Sequence, residues 1–394
     1  QLVARTPETF RQKQHIDVRM RHEAMAVDLD AAEVEARDRD GDRTVRVGFD
    51  QLMIATGATP NRPPIPGIDG ESVLGVQTLG DAERLLARAE AACCDRVVVV
   101  GGGYIGLEMA EAFIQRGAEV TVIDASPEVM RTLDPDMGAL VRAAMERHGI
   151  EVRCGATIEG FEPGAVQLAD GPVPADLVVL GTGVRPNSGL AADAGIPLGA
   201  GGAIEVDVRQ RTGVDGVWSA GDCAATFHRV SRRPVFVALG TVANKTGRVA
   251  GINLGGGYAT FPGVVGTAIT KLCATEVART GLTEHECHRA GLRFEAVRVE
   301  SHTTAGYWPE ADRMTVKMLG AEAIHDDRIV RPPANRARAD TGANGPAGSG
   351  CRPPRRLTPP ATRDAGPSFR IERVAGRTRP LQSRSRHLQA GGSG

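Results

Sequence analysis

Three glycines in G-x-G-x-x-G spacing are the residues of this chain best suited to binding a nucleotide. Gly101, Gly103 and Gly106 follow four consecutive valines and precede a run that is typical of a helix. The first glycine permits a tight turn, the second lets the backbone approach a pyrophosphate, and the third lets helix and strand pack closely. N–H groups at the start of the helix attract phosphate. This order of elements predicts a dinucleotide site.

The second strand of this unit ends at Asp124, 23 residues after Gly101. An acid at this place can accept hydrogen bonds from a ribose 2′-hydroxyl. Its negative charge disfavours the 2′-phosphate of NADPH, and Arg131 is the nearest following arginine, so NADH is the expected cofactor. Tyr104 and Ile105 lie between the glycines and are expected to line the same site.

Other apolar runs also end in loops that contain glycine. The run LMIATGATP predicts a strand before Gly57, the strand near 176–181 ends in GTGVRPN at Gly183, and the strand 217–220 ends at Gly221-Asp222. Ligands of α/β folds bind beyond the carboxyl ends of strands, so these loops are candidate binding positions. A helix is expected over 7–14, and others over about 81–92, 136–148 and 239–253. Segments between 259 and 318 suit an antiparallel sheet.

The last part of the chain has a different composition. Residues 331–394 contain 13 arginines, no lysine, 3 acids, 9 prolines and 9 glycines, whereas the net charge of the whole chain is −1. Such a segment buries too little apolar surface to offset its chain entropy, which predicts a disordered or frame-shifted tail. An arginine-rich RNA-binding tail is the alternative, but no nucleic-acid partner is expected.

Cysteine spacing and hydropathy exclude several other classes. The seven cysteines form no C-x-x-C pair, and the segment His285-Glu-Cys-His288 is typical of a short surface helix, so no metal site is expected. Neither a signal peptide nor an apolar run of about 20 residues occurs, so the expected location is cytoplasmic, without a membrane partner.

Six motifs, taken in order, resemble the FAD-dependent pyridine nucleotide–disulfide oxidoreductases. They are ATGATPNRPPIPG, GGGYIGLEMAEAF, GTGVRPN, SAGDCA, ANKTGRVAGINL and GTAITKLCATEVARTGLTE. The branch resembled is the single-cysteine one: coenzyme A-disulfide reductases, NADH oxidases, NADH peroxidases and persulfide reductases. The resemblance covers residues 1 to about 319.

This resemblance implies an α/β fold of two Rossmann-like dinucleotide-binding domains, with the flavin domain incomplete and the NAD domain inserted into it. A partial α+β interface domain and the disordered tail follow. The implied segments are a first FAD-binding segment (1–80), an NAD(P)H-binding domain (81–198), a second FAD-binding segment (199–257), a partial dimerisation domain (258–319) and the tail (320–394).

The resemblance also implies roles for individual residues. The flavin positions are Ala55, Thr56 and Gly57 beside FAD, Gly221 and Asp222 at the ribityl chain, and Leu239 and Thr241 at the opening of a helix that faces the isoalloxazine ring. Glu108 corresponds to a glutamate near the nicotinamide, and Gly183 belongs to the second glycine-rich turn. Asn244 and Tyr307 correspond to substrate positions, although two inserted threonines and Trp308 depart from the pattern around Tyr307.

The implied reaction passes hydride from NADH through FAD to a disulfide, a persulfide, a peroxide or oxygen, in a homodimer. The strand and glycines around 97–106 form the glycine fingerprint, and no second one occurs before residue 97. Cys223 is not expected to be reactive. The catalytic cysteine is therefore unknown and is expected upstream of Gln1. The alternative is a truncated, non-catalytic fragment that retains only NADH binding.

Overall fold

The computed structural model describes residues 5–90, 94–309, 311–321 and 334–337, with the backbone alone at 321 and 334–337. Elements before the fingerprint are α1 (Pro7–Gln14), β1 (His22–Asp28), β2 (Glu33–Asp38), β3 (Arg43–Gly48), β4 (Leu52–Ile54), β5 (Ala58–Pro60), β6 (Val73–Gly75) and α2 (Leu79–Glu90). The predicted helix over 7–14 is confirmed, because the Thr6 side chain caps its start and His15 ends it at φ +54°. β1, β2 and β3 form an antiparallel sheet.

A five-stranded parallel sheet carries the fingerprint. The elements that follow α2 are β7 (Arg96–Val100), α3 (Tyr104–Ile114), β8 (Glu119–Asp124), α4 (Pro135–Arg147), β9 (Glu151–Cys154), β10 (Ile158–Glu162), β11 (Ala165–Leu168), β12 (Gly171–Pro174) and β13 (Leu177–Leu180). The sheet order is β6-β13-β7-β8-β9. β6 pairs with β13 in this sheet, although it lies before residue 81, the predicted start of the second segment of the chain.

The valine run is buried on both faces of this sheet. Side chains alternate along a strand, so neighbouring valines enter different cores. Val97 and Val99 pack with Leu107 of α3. Val98 packs on the opposite face with Phe161 of β10, the first strand of the antiparallel unit β10-β11-β12.

Two parts of the chain that are distant in the sequence meet in the next unit. Its elements are β14 (Val184–Pro186), α5 (Gly189–Asp193), a 3₁₀ turn (Ala200–Gly202), β15 (Val217–Ser219), β16 (Thr226–His228), β17 (Arg233–Val235) and α6 (Gly240–Leu254). β15 pairs with β4 in parallel, and β14 pairs with β5 in an antiparallel manner. The carboxyl ends of β4 and β15 therefore lie side by side.

The last elements form an antiparallel sheet, which confirms that prediction. They are β18 (Ala268–Leu272), β19 (Thr275–Arg279), α7 (Glu284–Ala290), β20 (Phe294–His302), β21 (Arg313–Ala321) and β22 (Ala334–Ala337), in the sheet order β18-β19-β22-β21-β20. β22 falls within the predicted tail and is paired; most of that tail lies outside the described residues. Leu272 and Val277 share a core with Val97, so this sheet packs on the unit that contains the parallel sheet. Among the described residues, no helix is long and apolar enough to cross a membrane.

Candidate active site

Close backbone contacts explain the outer glycines of the fingerprint. Gly101 has φ +100°, and a Cβ there would lie 2.5 Å from the carbonyl oxygen of Gly181. A Cβ on Gly106 would lie 1.8 Å from the carbonyl oxygen of Gly101. Both contacts are with backbone atoms. Glycine at 106 therefore lets α3 lie close to the end of β7, and glycine at 101 lets the turn lie against the end of β13.

Asp124 organises the loop around the fingerprint. Its Oδ2 accepts the N–H of Gly102 at 2.7 Å, and its Oδ1 accepts the N–H of Ser126 at 2.7 Å. Each carboxylate oxygen keeps a lone pair that a ribose hydroxyl can use. The sequence analysis gave no role to Gly102, although GGG at 101–103 is a visible signal. A Cβ on Gly102 would lie 2.6 Å from Cγ1 of Val129.

The N-terminus of α3 is open to a phosphate. Gly103 precedes the helix, makes no side-chain cap, and has no heavy atom within 4 Å of the place where a Cβ would lie. Tyr104 and Ile105 begin the helix and are half-buried. The Tyr104 hydroxyl lies 3.4 Å from Oγ1 of Thr132, which follows the strand that ends at Asp124.

The predicted turn at Gly183 is fixed by Asn61, a residue that the sequence analysis did not select. Gly183 has φ +79°, and its carbonyl oxygen accepts the N–H of Asn61 at 2.9 Å. Thr182 Oγ1 donates to the carbonyl of Asn61 at 2.6 Å. The segment 60–66, which contains four prolines, is thereby tied to the carboxyl end of β13.

The turns after β4 and β15 form the second candidate binding position. Ala55, Thr56 and Gly57 follow β4, and Asn187 holds them: its N–H donates to the Gly57 carbonyl at 2.9 Å, while Thr56 Oγ1 donates to the Asn187 carbonyl at 2.5 Å. Asn187 was not selected from the sequence because its partners lie about 130 positions earlier in the chain.

Asp222, after β15, carries an unsatisfied buried oxygen. Among the described residues, no hydrogen-bond donor reaches its Oδ1, which is inaccessible to solvent. Burial raises the pKa of Asp222 above its ordinary value. A buried carboxylate without a donor is unfavourable, and a bound hydroxyl group would relieve this. The next residue, Cys223, is fully buried with Sγ 3.6 Å from the Ile54 carbonyl.

Helix α6 begins beside this turn. Leu239 precedes it without a side-chain cap, so its first N–H groups and its positive dipole end remain available to a ligand. Thr241 is exposed in the first turn. Thr246 places the helix, because its hydroxyl accepts the N–H of Gly221 at 3.1 Å and donates to the carbonyl of Val242 at 2.9 Å.

The remaining predicted residues are exposed. Glu108 lies on α3 and its Oε1 accepts a hydrogen bond from Oγ1 of Thr270, on β18, at 3.3 Å. Asn244 lies on α6, one turn after Thr241. Tyr307 lies between β20 and β21 with 87% of its surface exposed.

Cys287 is buried, and its neighbour His288 packs against an aromatic ring. Burial raises the pKa of the Cys287 thiol to about 11, and the ring of His288 packs edge-on against Phe294. Across the described part of the chain, no group of three or more His, Cys, Asp or Glu side chains is arranged to hold a metal ion.

The chain is similar in sequence to a known protein family and its members. The family described as "Pyridine nucleotide-disulphide oxidoreductase" matches residues 3–256. An "NAD(P)H sulfur oxidoreductase (CoA-dependent)" of Pyrococcus abyssi is 34% identical over 339 residues, which are 82% of this chain and 75% of the relative.

Two solved structures are also similar. An NAD-dependent persulfide reductase from A. fulgidus shares 34% identity with a TM-score of 0.80, over 86% of this chain and 62% of that protein, which is less than two thirds of its length. A water-forming NADH oxidase from Lactobacillus brevis, bound to NADH, shares 28% identity with a TM-score of 0.75, over 81% of this chain and 71% of the other.

Proposed function

The chain belongs to the pyridine nucleotide-disulphide oxidoreductase family, and from this premise we propose that it is an FAD- and NAD(P)H-dependent oxidoreductase. The family resemblance drawn from the sequence is thereby confirmed. The observation that carries the function is the unsatisfied Oδ1 of Asp222 between the turn after β4 and the start of α6. A ligand with hydroxyl groups would satisfy this oxygen.

The residues fit FAD at this position. Asp222 would accept hydrogen bonds from hydroxyls of the ribityl chain, and the turn at Ala55–Gly57 would line the same ligand. The N-terminus of α6, at Leu239 and Thr241, would stabilise negative charge on the ring system. Bound FAD supplies two-electron chemistry between a nicotinamide and an acceptor.

The dinucleotide is proposed to be NADH. Gly101, Gly103 and Gly106 would hold its pyrophosphate, and Asp124 would accept a hydrogen bond from its ribose. A 2′-phosphate beside the Asp124 carboxylate would be repelled. Glu108 is proposed to lie near the nicotinamide.

The acceptor is proposed to be a small molecule: a disulfide, a persulfide, a peroxide or oxygen. Relatives at 34% identity include enzymes named for sulfur or persulfide and others named NADH oxidase, so a sulfur–sulfur bond and oxygen are the first acceptors to test. Asn244 and Tyr307 remain proposed substrate residues. The cytoplasmic location stays a prediction from the sequence.

The test is reconstitution of the full chain with FAD. We expect one FAD per chain and a visible flavin spectrum that NADH bleaches without oxygen. Polysulfide and oxygen are then added in separate experiments, and an acceptor is identified by its restoring the flavin colour. Binding of NADH without uptake of FAD would contradict the proposal and favour the alternative of a chain that binds NADH alone.

A homodimer is proposed from the exposed apolar residues of the last sheet. Val297 and Val299 on β20 are 51% and 42% exposed, and Trp308 beside Tyr307 is 60% exposed. Sedimentation should give twice the mass of one chain. Val297→Ser with Trp308→Ser should shift it to the monomer, whereas the distant substitution Met25→Ser, at a residue 52% exposed on β1, should not.

A further inference from the structure

Lys317 joins the last sheet to the NAD domain through a cluster of three acids. It is 6% exposed on β21, and its Nζ lies 2.6 Å from Glu284, 2.7 Å from Asp136 and 3.3 Å from Asp134. Asp134 is 2% exposed and its Oδ1 also accepts the N–H of Glu284 at 2.8 Å. Burial lowers the pKa of Lys317, but the bonds to Asp136 and Glu284 outweigh it, so the net shift is upward. The lysine therefore stays charged.

Arg279, on β19, makes a second connection to the same part of the NAD domain. It is 8% exposed, and its guanidinium donates to the carbonyl of Thr132 and, at 2.7 Å, to Oε2 of Glu286. Two strands of one sheet, β19 and β21, thus hold residues 132–136, which include the first turn of α4.

The segment held in this way reaches the fingerprint. The N–H of Met130 donates to the carbonyl of Gly102 at 2.8 Å, and the N–H of Leu133 donates to the carbonyl of Met130 at 2.7 Å. Met130 is 1% exposed and has φ +53°, an unfavourable conformation that persists only when its surroundings impose it. The hydroxyl of Thr132 also faces that of Tyr104 in α3.

We propose that Lys317 and Arg279 are positioning residues for the dinucleotide: they hold residues 130–136 so that Gly102 and Tyr104 are ordered before NADH binds. This inference rests on the proposed function of the fingerprint. Neither residue belongs to the motif that binds the nucleotide. Their effect is on affinity, because a loop that is ordered in advance loses less entropy when the ligand arrives.

Titration with ADP-ribose tests this role, since ADP-ribose carries the pyrophosphate and cannot transfer hydride. In Lys317→Met we expect binding about five- to twentyfold weaker and a matching rise in the KM for NADH with little change in kcat. Lys317→Arg, which keeps the charge, should restore affinity to within about twofold of the parent. FAD content should be unchanged in both variants.

The control is Arg96→Gln. It breaks the ion pair of Arg96 with Asp176 (2.7 Å) at the end of β7 opposite Gly101, and it should leave ADP-ribose affinity unchanged. If Lys317→Met yields no folded protein, Arg279→Lys replaces it, with an expected loss of about three- to fivefold.

Parental affinity in Lys317→Met, or in Arg279→Lys where that variant is used, would overturn the inference. The inference would also be overturned if Lys317→Met lost FAD and thermal stability together with affinity, and if Lys317→Arg did not restore them. Failure of the unaltered chain to bind ADP-ribose at all would overturn the proposed dinucleotide site as well, which distinguishes the two failures.

Discussion

At the scale of single residues, the site depends on steric room at one glycine and on hydrogen bonding at one carboxylate. Gly106 has no room for a methyl group against the Gly101 carbonyl, and Asp222 has a buried oxygen that no donor in the described structure satisfies. The first is a steric requirement of the fold. The second is a local instability that a bound ligand would relieve.

Gly106→Ala should lower stability by about 1–3 kcal/mol, because its Cβ forces α3 away from β7. It should also abolish most ADP-ribose binding. Urea unfolding and calorimetry measure the two effects. Gly251→Ala is the control: no heavy atom lies within 4 Å of its Cβ position in α6, so it should raise stability by about 0.5–1 kcal/mol. Equal behaviour of the two variants would refute the steric explanation.

Asp222→Asn should separate stability from flavin binding. Because its pKa is raised, Asp222 holds a proton more tightly in the folded protein than in the unfolded chain. The stability of the apo-protein therefore falls as the pH rises through the folded pKa and the carboxyl becomes charged. The apo-variant should therefore be more stable than the parent at pH 8, by a margin that shrinks towards pH 4. Its FAD affinity should fall about tenfold. A constant margin across pH would disagree with this assignment.

At the scale of elements, contacts between strand ends and helix starts assemble the site. Thr246 holds the start of α6 against the turn at Gly221, and Asn187 holds the turn at Gly57. The strands and helices themselves were predictable, since their periodicity and turn residues are local. These connecting residues were not, because a single threonine or asparagine carries no periodic signal.

Thr246→Val should leave the N–H of Gly221 without its partner at nearly constant volume. We expect a loss of about 1–3 kcal/mol in stability and a lower FAD occupancy after reconstitution. Thr246→Ser keeps the hydroxyl and should retain most of both. If valine and serine variants bind FAD equally, the hydrogen bond does not position the helix.

At the scale of the whole molecule, the last sheet and the NAD domain share one hydrophobic core and two buried cations. Leu272 and Val277 enter the core beneath α3, while Arg279 and Lys317 reach the segment before α4. Burial raises the pKa of Glu286, but the charge of Arg279 and hydrogen bonds from Thr283 outweigh this, so the net pKa is lowered.

Glu286→Gln should reduce the acid sensitivity of the molecule. A lowered folded pKa means that Glu286 stabilises the protein above its ordinary pKa of 4.5 and ceases to do so as the pH falls through the lower folded value. At pH 7 the variant should lose about 1–2 kcal/mol, since water partly screens this half-exposed carboxylate. In thermal unfolding, the loss should diminish as the pH falls below 4.5 and through the lower folded pKa. Glu8→Gln, in an exposed pair with Arg11, should show neither effect.

The sequence by itself determined the nucleotide fingerprint, the main helices and strands, and the family, because glycine spacing, apolar periodicity and motif order are properties of neighbouring residues. Only the tertiary structure decided that β4 and β15 end side by side, that Asp222 keeps a buried oxygen unsatisfied, and that Lys317 and Arg279 connect to Gly102 through residues 130–136. These features join segments far apart in the chain. Their energies arise from burial and hydrogen-bond geometry, which no local pattern of residues encodes.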